Sequence, residues 1–351
     1  MPFFVYHAMD KIQKNTFLLL RTALFHEPVT IDVLSEREWF AVYENSVKQG
    51  VAAFCFDAVR NLPQSLRPNR EVFLQWAKYT EKTEKQYNEK KAALSVFVDM
   101  VKDESIRPLI LKGFSLSRLY PVRNHRHCGD IDIYCFDKSH RVDDILESNG
   151  VEVEYENPRH SVFCINDVLF ENHHFFLYNK NDVDEQKLER FLQTEAAKSL
   201  SLSDSSVLTG TTLGNAVFFL KHSEMDFVHN RMNVRLRTLC DWAMLLNSGQ
   251  LDYNKLKEVV AGSSISRFAD VLTTVSVRLL GLPSEYLDLF TPVDTKVVDD
   301  FIVLILNYQD QIQYRGTVRG RMQRFAKYVR HYSTYKYIFG KNIIKWHYFS
   351  K

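Results

Sequence analysis

From Thr16 to about Lys102 the apolar residues recur at intervals of three and four, as in Ala93, Val96, Phe97, Met100 and Val101. That period predicts helices with one buried face. Pro63, Pro68 and Asn69 divide the run into several of them. From Arg107 to Tyr178 the pattern shifts to short apolar or alternating runs: Leu109–Leu111, Ile131–Phe136, Val151–Tyr155, Ser161–Ile165 and Val168–Leu177. These predict strands, with Asp143–Ser148 in a crossover helix closed by Asn149-Gly150. Helical spacing returns after Leu213, notably over Ala216–Val228 and Val234–Asn247.

The resulting outline is an α+β fold in which a small mixed β-sheet core is flanked by N-terminal and C-terminal helical regions. Polar Ser199–Ser206 is the joint between core and later helices, and Gly281-Leu282-Pro283 is a further break. The expected division is a helical region over 1–105, an α/β core over 106–198, a second helical region over 199–310 and a tail over 311–351.

Composition adds little to this outline until it is read locally. At 351 residues, with 45% hydrophobic and 25% charged, the chain is ordinary globular material. Its formal net charge of +2 argues against polyanion binding by the chain as a whole. The cations are nonetheless concentrated: no acidic residue follows Asp310, while arginines and lysines from Arg315 to Lys351 alternate with tyrosine, phenylalanine and tryptophan. Such a segment suits RNA, through phosphate contacts and stacking, or an anionic membrane surface. Docking on the acidic surface of its own fold is the structural alternative.

Five cysteines without a paired spacing predict reduced thiols. The run Phe17–Leu20 is cut short by Arg21 and lacks a small-residue cleavage site, so no signal peptide is expected. Phe301–Leu306 is too short to span a bilayer, which takes about 20 residues. The expected location is cytoplasmic.

The chemistry concentrates in Leu111-Lys112-Gly113 and in Arg126-His127-Cys128-Gly129-Asp130-Ile131-Asp132-Ile133. Two carboxylates two residues apart on a strand point to one side of the sheet. There they repel one another and resist desolvation. A divalent cation removes both costs. Without one, removing either charge relieves the repulsion, so Asp132→Ala is expected to leave the metal-free fold intact.

These residues resemble a family of uncharacterised nucleotidyltransferases within the polymerase-β-like superfamily. The resemblance rests on Leu111-Lys112-Gly113, Leu119-Tyr120-Pro121, Arg126-x-x-Gly129-Asp130-x-Asp132 and Glu171-Asn172-His173. Lys221-His222 and Arg237-x-x-x-Asp241 also look like family positions, and the likeness runs from about Thr16 to Asn247. It implies a metal-dependent enzyme that moves a nucleotidyl group from a nucleoside triphosphate to an acceptor the motifs do not specify. The rival reading keeps the fold without the chemistry, as a nucleotide-binding or RNA- or membrane-associated protein.

In the implied scheme Asp130, Asp132 and Glu171 are the catalytic carboxylates and the ligands of Mg2+. Glu171 completes the metal site or helps to deprotonate the acceptor; its rival reading is a solvated strand carboxylate. Lys112, Gly113, Ser115 and Arg126 hold the triphosphate. Lys112-Gly113 stands where the superfamily has a Gly-Ser turn, and Ser115 would supply the hydroxyl. Arg126 can instead be an ion-pair partner of the aspartates. His173 reads first as a hydrogen-bonded structural histidine, because His173 and His174 alternate across a strand and only one can face the site. Arg237 and Asp241, four apart on a helix, read first as a structural ion pair. Cys128 lacks an activating neighbour in the sequence and reads as incidental.

Overall fold

The computed structural model describes residues 9–28, 31–177, 182–201, 206–229, 234–308, 322 and 326–340. Its helices are α1 (Lys11–Phe25), α2 (Glu36–Lys48), α3 (Ala52–Val59), α4 (Arg70–Val101), α5 (Lys112–Leu116) and α6 (Ser139–Ser148). They continue as α7 (Val183–Ser201), α8 (Thr212–His229), α9 (Leu236–Leu246), α10 (Tyr253–Val260), α11 (Ser266–Leu280), α12 (Thr295–Leu306) and α13 (Tyr332–Phe339). The strands are β1 (Leu109–Leu111), β2 (Ile131–Tyr134), β3 (Val153–Asn157), β4 (His160–Ile165), β5 (Val168–His173) and β6 (Leu208–Thr209). This is the α+β fold that the periodicities predict, a small mixed sheet with helices before and after it.

Packing divides the described residues into two units: those lying within 74–219 and 248–252, and those lying within 1–73, 220–247 and 253–351. The first holds a six-stranded sheet in the order β3-β4-β5-β2-β1-β6. β2 runs antiparallel to β1 and parallel to β5, while β4 and β5 form a hairpin turning through Asn166-Asp167, both at positive φ. One sheet face is apolar. Ile131, Ile133, Phe163 and Phe170 pack there with Ala93, Phe97 and Val101 of α4 and with Val142, Ile145 and Leu146 of α6. The three α4 residues stand four apart, so a single helical stripe meets the sheet.

Two departures from the sequence reading have local causes. The run Val168–Leu177 stops pairing at His173, because the chain turns away there and the His174 and Phe175 N–H groups both bond to the Arg159 carbonyl. β6 has two residues, too few for any periodicity, yet its parallel pairing with β1 extends the sheet by a strand.

The second unit is helical. Its N-terminus is well capped: Asp10 with Gln13, and Ser35 with Glu38, form reciprocal capping boxes on α1 and α2. α13 belongs to the basic aromatic tail, and it packs. Tyr335 and Ile338 are buried, the His331 Nδ1 lies 2.6 Å from Asp300 Oδ1, and Thr334 Oγ1 donates to Asp300 Oδ2 at 2.6 Å. Of the cations behind the polyanion-binding expectation, Lys327, Arg330 and Lys336 are described, while Arg315, Arg319, Arg321, Arg324, Lys341, Lys345 and Lys351 lie outside the described residues. Among the described residues no helix is long and apolar enough to cross a membrane.

Candidate active site

The apolar residues of β2 decide which way its carboxylate faces. Ile131 and Ile133 point into the core, so Asp132 between them faces the opposite side of the sheet. β5 lies parallel to β2 with Asp132 registered against Glu171 and Tyr134 against His173. On β5 the alternation repeats: Phe170 enters the core, Glu171 and His173 share the Asp132 face, and Asn172 lies on the other.

Lys112, at the start of α5, closes this group. Its Nζ is 2.5 Å from Asp132 Oδ1 and 3.6 Å from Glu171 Oε2, and it lies 6.0 Å from the centre of the Phe218 ring. His173 Nε2 is 3.0 Å from Asp132 Oδ1 and 3.5 Å from Glu171 Oε2. Ligand atoms of Asp132, Glu171 and His173 all lie within 4.8 Å of one another. Asp130 is not in that close set, although it feels the charges of Asp132, Lys112 and Glu171.

Electrostatics separates the carboxylates. Burial pushes the Asp132 carboxyl up, but the Lys112 ammonium and the His173 hydrogen bond outweigh it and hold Asp132 well below the usual carboxylate range. Burial also opposes Glu171, whose His173 bond and Lys112 neighbour bring it below its ordinary value. Burial disfavours the Lys112 charge, yet Asp132 and Glu171 raise its pKa. Asp130 goes the other way: burial, and then the negative charge of Asp132, push it up. The expected repulsion therefore falls on Asp130. For Asp132 the expectation that its removal spares the fold is corrected, because removal leaves a buried ammonium without its nearest counterion.

The Lys112-Gly113 turn works differently from its appearance in the sequence. The left-handed residue is Lys112, with φ of 43°, a conformation that costs a non-glycine residue energy. Gly113 instead makes room: a Cβ there would sit 2.7 Å from Arg126 Nη1. Arg126 is buried over this turn, and its Nη1 donates to the His127 carbonyl and to Cys128 Sγ, both at 3.2 Å. Cys128 is thus a partner of Arg126. Ser115 is buried and its Oγ has no hydrogen-bond partner.

Phe218, over Lys112, and His160, whose ring centre is 5.5 Å from that of His173, belong to this surface, and no motif singles them out. Lys221, His222, Arg237 and Asp241 fall in the helical unit. There Lys221 is buried with its Nζ 2.9 Å from Glu224 Oε2, and His222 Nδ1 is 3.2 Å from Asp226 Oδ2.

Comparison with protein families decides the relationship. Residues 35–281 match the family described as uncharacterised nucleotidyltransferase. The chain belongs to that family. Membership supports nucleotidyl transfer as its general function, and the matched span contains every motif residue named above. No curated protein and no solved structure matches the chain.

Proposed function

We propose that the protein is a metal-dependent nucleotidyltransferase that takes its nucleotidyl group from a nucleoside triphosphate. One observation carries this reading: three carboxylates, Asp130, Asp132 and Glu171, interact with the single ammonium of Lys112. With all four ionised the group carries about two negative charges in excess, which suits a divalent cation better than another lysine. The donor set fits as well, since Asp132, Glu171 and His173 offer ligand atoms within 4.8 Å of one another. Carboxylate oxygens favour magnesium. When bound, the ion supplies charge neutralisation and Lewis-acid polarisation of the phosphoryl oxygens.

The chain's own residues then divide the remaining work. Asp132 and Glu171, held below their ordinary values, stay ionised and keep the cluster negative. Asp130, the one of the three that is pushed above its ordinary value, receives the proton of an attacking acceptor group. Lys112 and Arg126 bring positive charge to the triphosphate oxygens, arginine through paired hydrogen bonds. The Ser115 hydroxyl, buried without a partner, is a donor available to the same oxygens. In the transfer the acceptor atom bonds to the α-phosphorus and pyrophosphate leaves with the electrons of the broken bond. The basic residues of 311–351 would recruit a polyanionic acceptor.

A non-catalytic nucleotide-binding protein is the second reading, and the Lys112 contact favours it, since an ammonium already beside Asp132 reduces the gain from a metal. Labelled nucleoside triphosphates with magnesium, followed by mass analysis of protein, RNA and small-molecule fractions, separate the two. Labelled product with release of pyrophosphate is expected. Nucleotide binding without product, for every triphosphate and fraction, would leave only the second reading.

A further inference from the structure

Beyond the nucleotidyl-transfer site, the opposite face of β5 carries a second cluster. His140 and Asp143 stand three apart on α6, and His174 follows β5 directly. One ligand atom from each lies within 4.8 Å of the others. The two imidazole rings are side by side, with centres 4.2 Å apart and planes at 52°. His174 Nε2 is 2.9 Å from Asp143 Oδ2.

The carboxylate is oriented as a ligand would be. Asp143 is 1% exposed, and its Oδ1 accepts hydrogen bonds from Ser161 Oγ at 2.5 Å and Asn172 Nδ2 at 2.8 Å. Ser161 and Asn172 are themselves fully buried, so Oδ1 is held from one side and Oδ2 is aimed at the imidazoles. Such outer hydrogen bonds fix the direction of ligating carboxylates in metal sites. Ser161, Asn172 and His174, the named partners, carry no permanent positive charge, and burying an anion among neutral groups is costly unless a cation joins it.

We infer that His140, Asp143 and His174 form a second cation site, for a borderline divalent metal of the zinc class. Two imidazole nitrogens and one carboxylate oxygen are the donor set that zinc prefers over magnesium. His140 is exposed, so the site opens to solvent and water can complete a four-coordinate shell. Its effect is mechanical: the ion clasps α6 to the end of β5, one residue beyond His173. The inference is independent of the nucleotidyl-transfer reading, because it uses none of that site's side chains.

Cobalt(II) is the probe, since its visible absorption reports a low-coordinate site containing nitrogen donors. Chelator-treated full-length protein titrated with cobalt should develop that absorption, zinc should displace it, and zinc should raise the melting temperature. His140→Ala, at an exposed position, should weaken cobalt binding by more than about a hundredfold, beyond the roughly 10–100-fold losses that outer-shell changes produce. It should also cancel the thermal gain, and His140→Asn should behave alike while keeping a polar group. With excess magnesium present to occupy the site of Asp132 and Glu171, Glu171→Gln should leave the absorption unchanged. A wild-type protein with no cobalt absorption, a band that survives both His140 variants, or a band lost in Glu171→Gln would each overturn the inference.

Discussion

The two faces of β5 solve the same electrostatic problem in different ways. On one face Asp132 and Glu171 are compensated by the buried Lys112 ammonium, and Asp130 remains in surplus. On the other, Asp143 is held by a hydroxyl, an amide and an imidazole. Both arrangements satisfy buried carboxylate oxygens, but only the first sets like charges against one another. Excess negative charge is costly to a fold and useful to a reaction, because it is relieved when a cation arrives. The Asp143 face holds one carboxylate with no like charge set against it, and its role is structural.

The largest effect that sharpens this contrast is expected from Asp132→Ala. Transfer should fall by at least about a thousandfold, the scale of losing a principal electrostatic contact. The apoprotein should also lose about 3 kcal/mol, because Lys112 stays buried without its nearest counterion. Urea unfolding measures the second effect, and unchanged stability would mean that Lys112 finds another partner. The ion pair has a definite pH window. Asp132, lowered from 3.8, contributes stability above that pH and loses it on acidification; Lys112, raised from 10.5, contributes below that pH and loses it on further alkalinisation. The wild-type advantage over Asp132→Ala should therefore shrink at both ends of the pH scale.

Asp143→Ala should cost about 2 kcal/mol, since it strands the buried Ser161 and Asn172 donors. A loss of magnesium-dependent transfer much larger than the loss of folded protein would break the comparison, by making the second face catalytic. Gly113→Ala tests the support beneath the first face. Its Cβ would press on Arg126 Nη1, so a loss of about 1–3 kcal/mol is expected, with weaker triphosphate affinity by calorimetry.

The smallest change should have the opposite sign. Asp130 has its pKa raised by burial and by Asp132, so ionising it disfavours the fold. That penalty is absent below the ordinary value of 3.8 and grows as pH rises through the raised folded value. Asp130→Asn should therefore be more stable than wild type at neutral pH, by roughly 0.5 kcal/mol for an incompletely buried charge. The gain should vanish in acid, while transfer is lost at neutral pH. Equal stability of the two proteins at both pH values would show that Asp130 carries no surplus charge.

Several of these features are written locally in the chain. Helical and strand periods and the α+β order depend on near neighbours, as does the rule that His173 and His174 look opposite ways. The family motifs are local too, and they carry the relationship. Which strand lies beside β2 is a different kind of fact. Asp132 meets Glu171, 39 positions later, through parallel pairing that no short window encodes. Lys112 reads in the sequence as a phosphate ligand, and the fold shows it seated between two carboxylates. Gly113 reads in the sequence as part of the triphosphate cradle; in the fold the positive φ is on Lys112 and the glycine makes room for Arg126. The cluster of His140, Asp143 and His174 joins a helix to a strand end and leaves no spacing signature. Local sterics and hydrophobic period act over a few residues, whereas charge compensation in a buried site depends on groups brought together by the whole sheet, and only tertiary packing selects those partners.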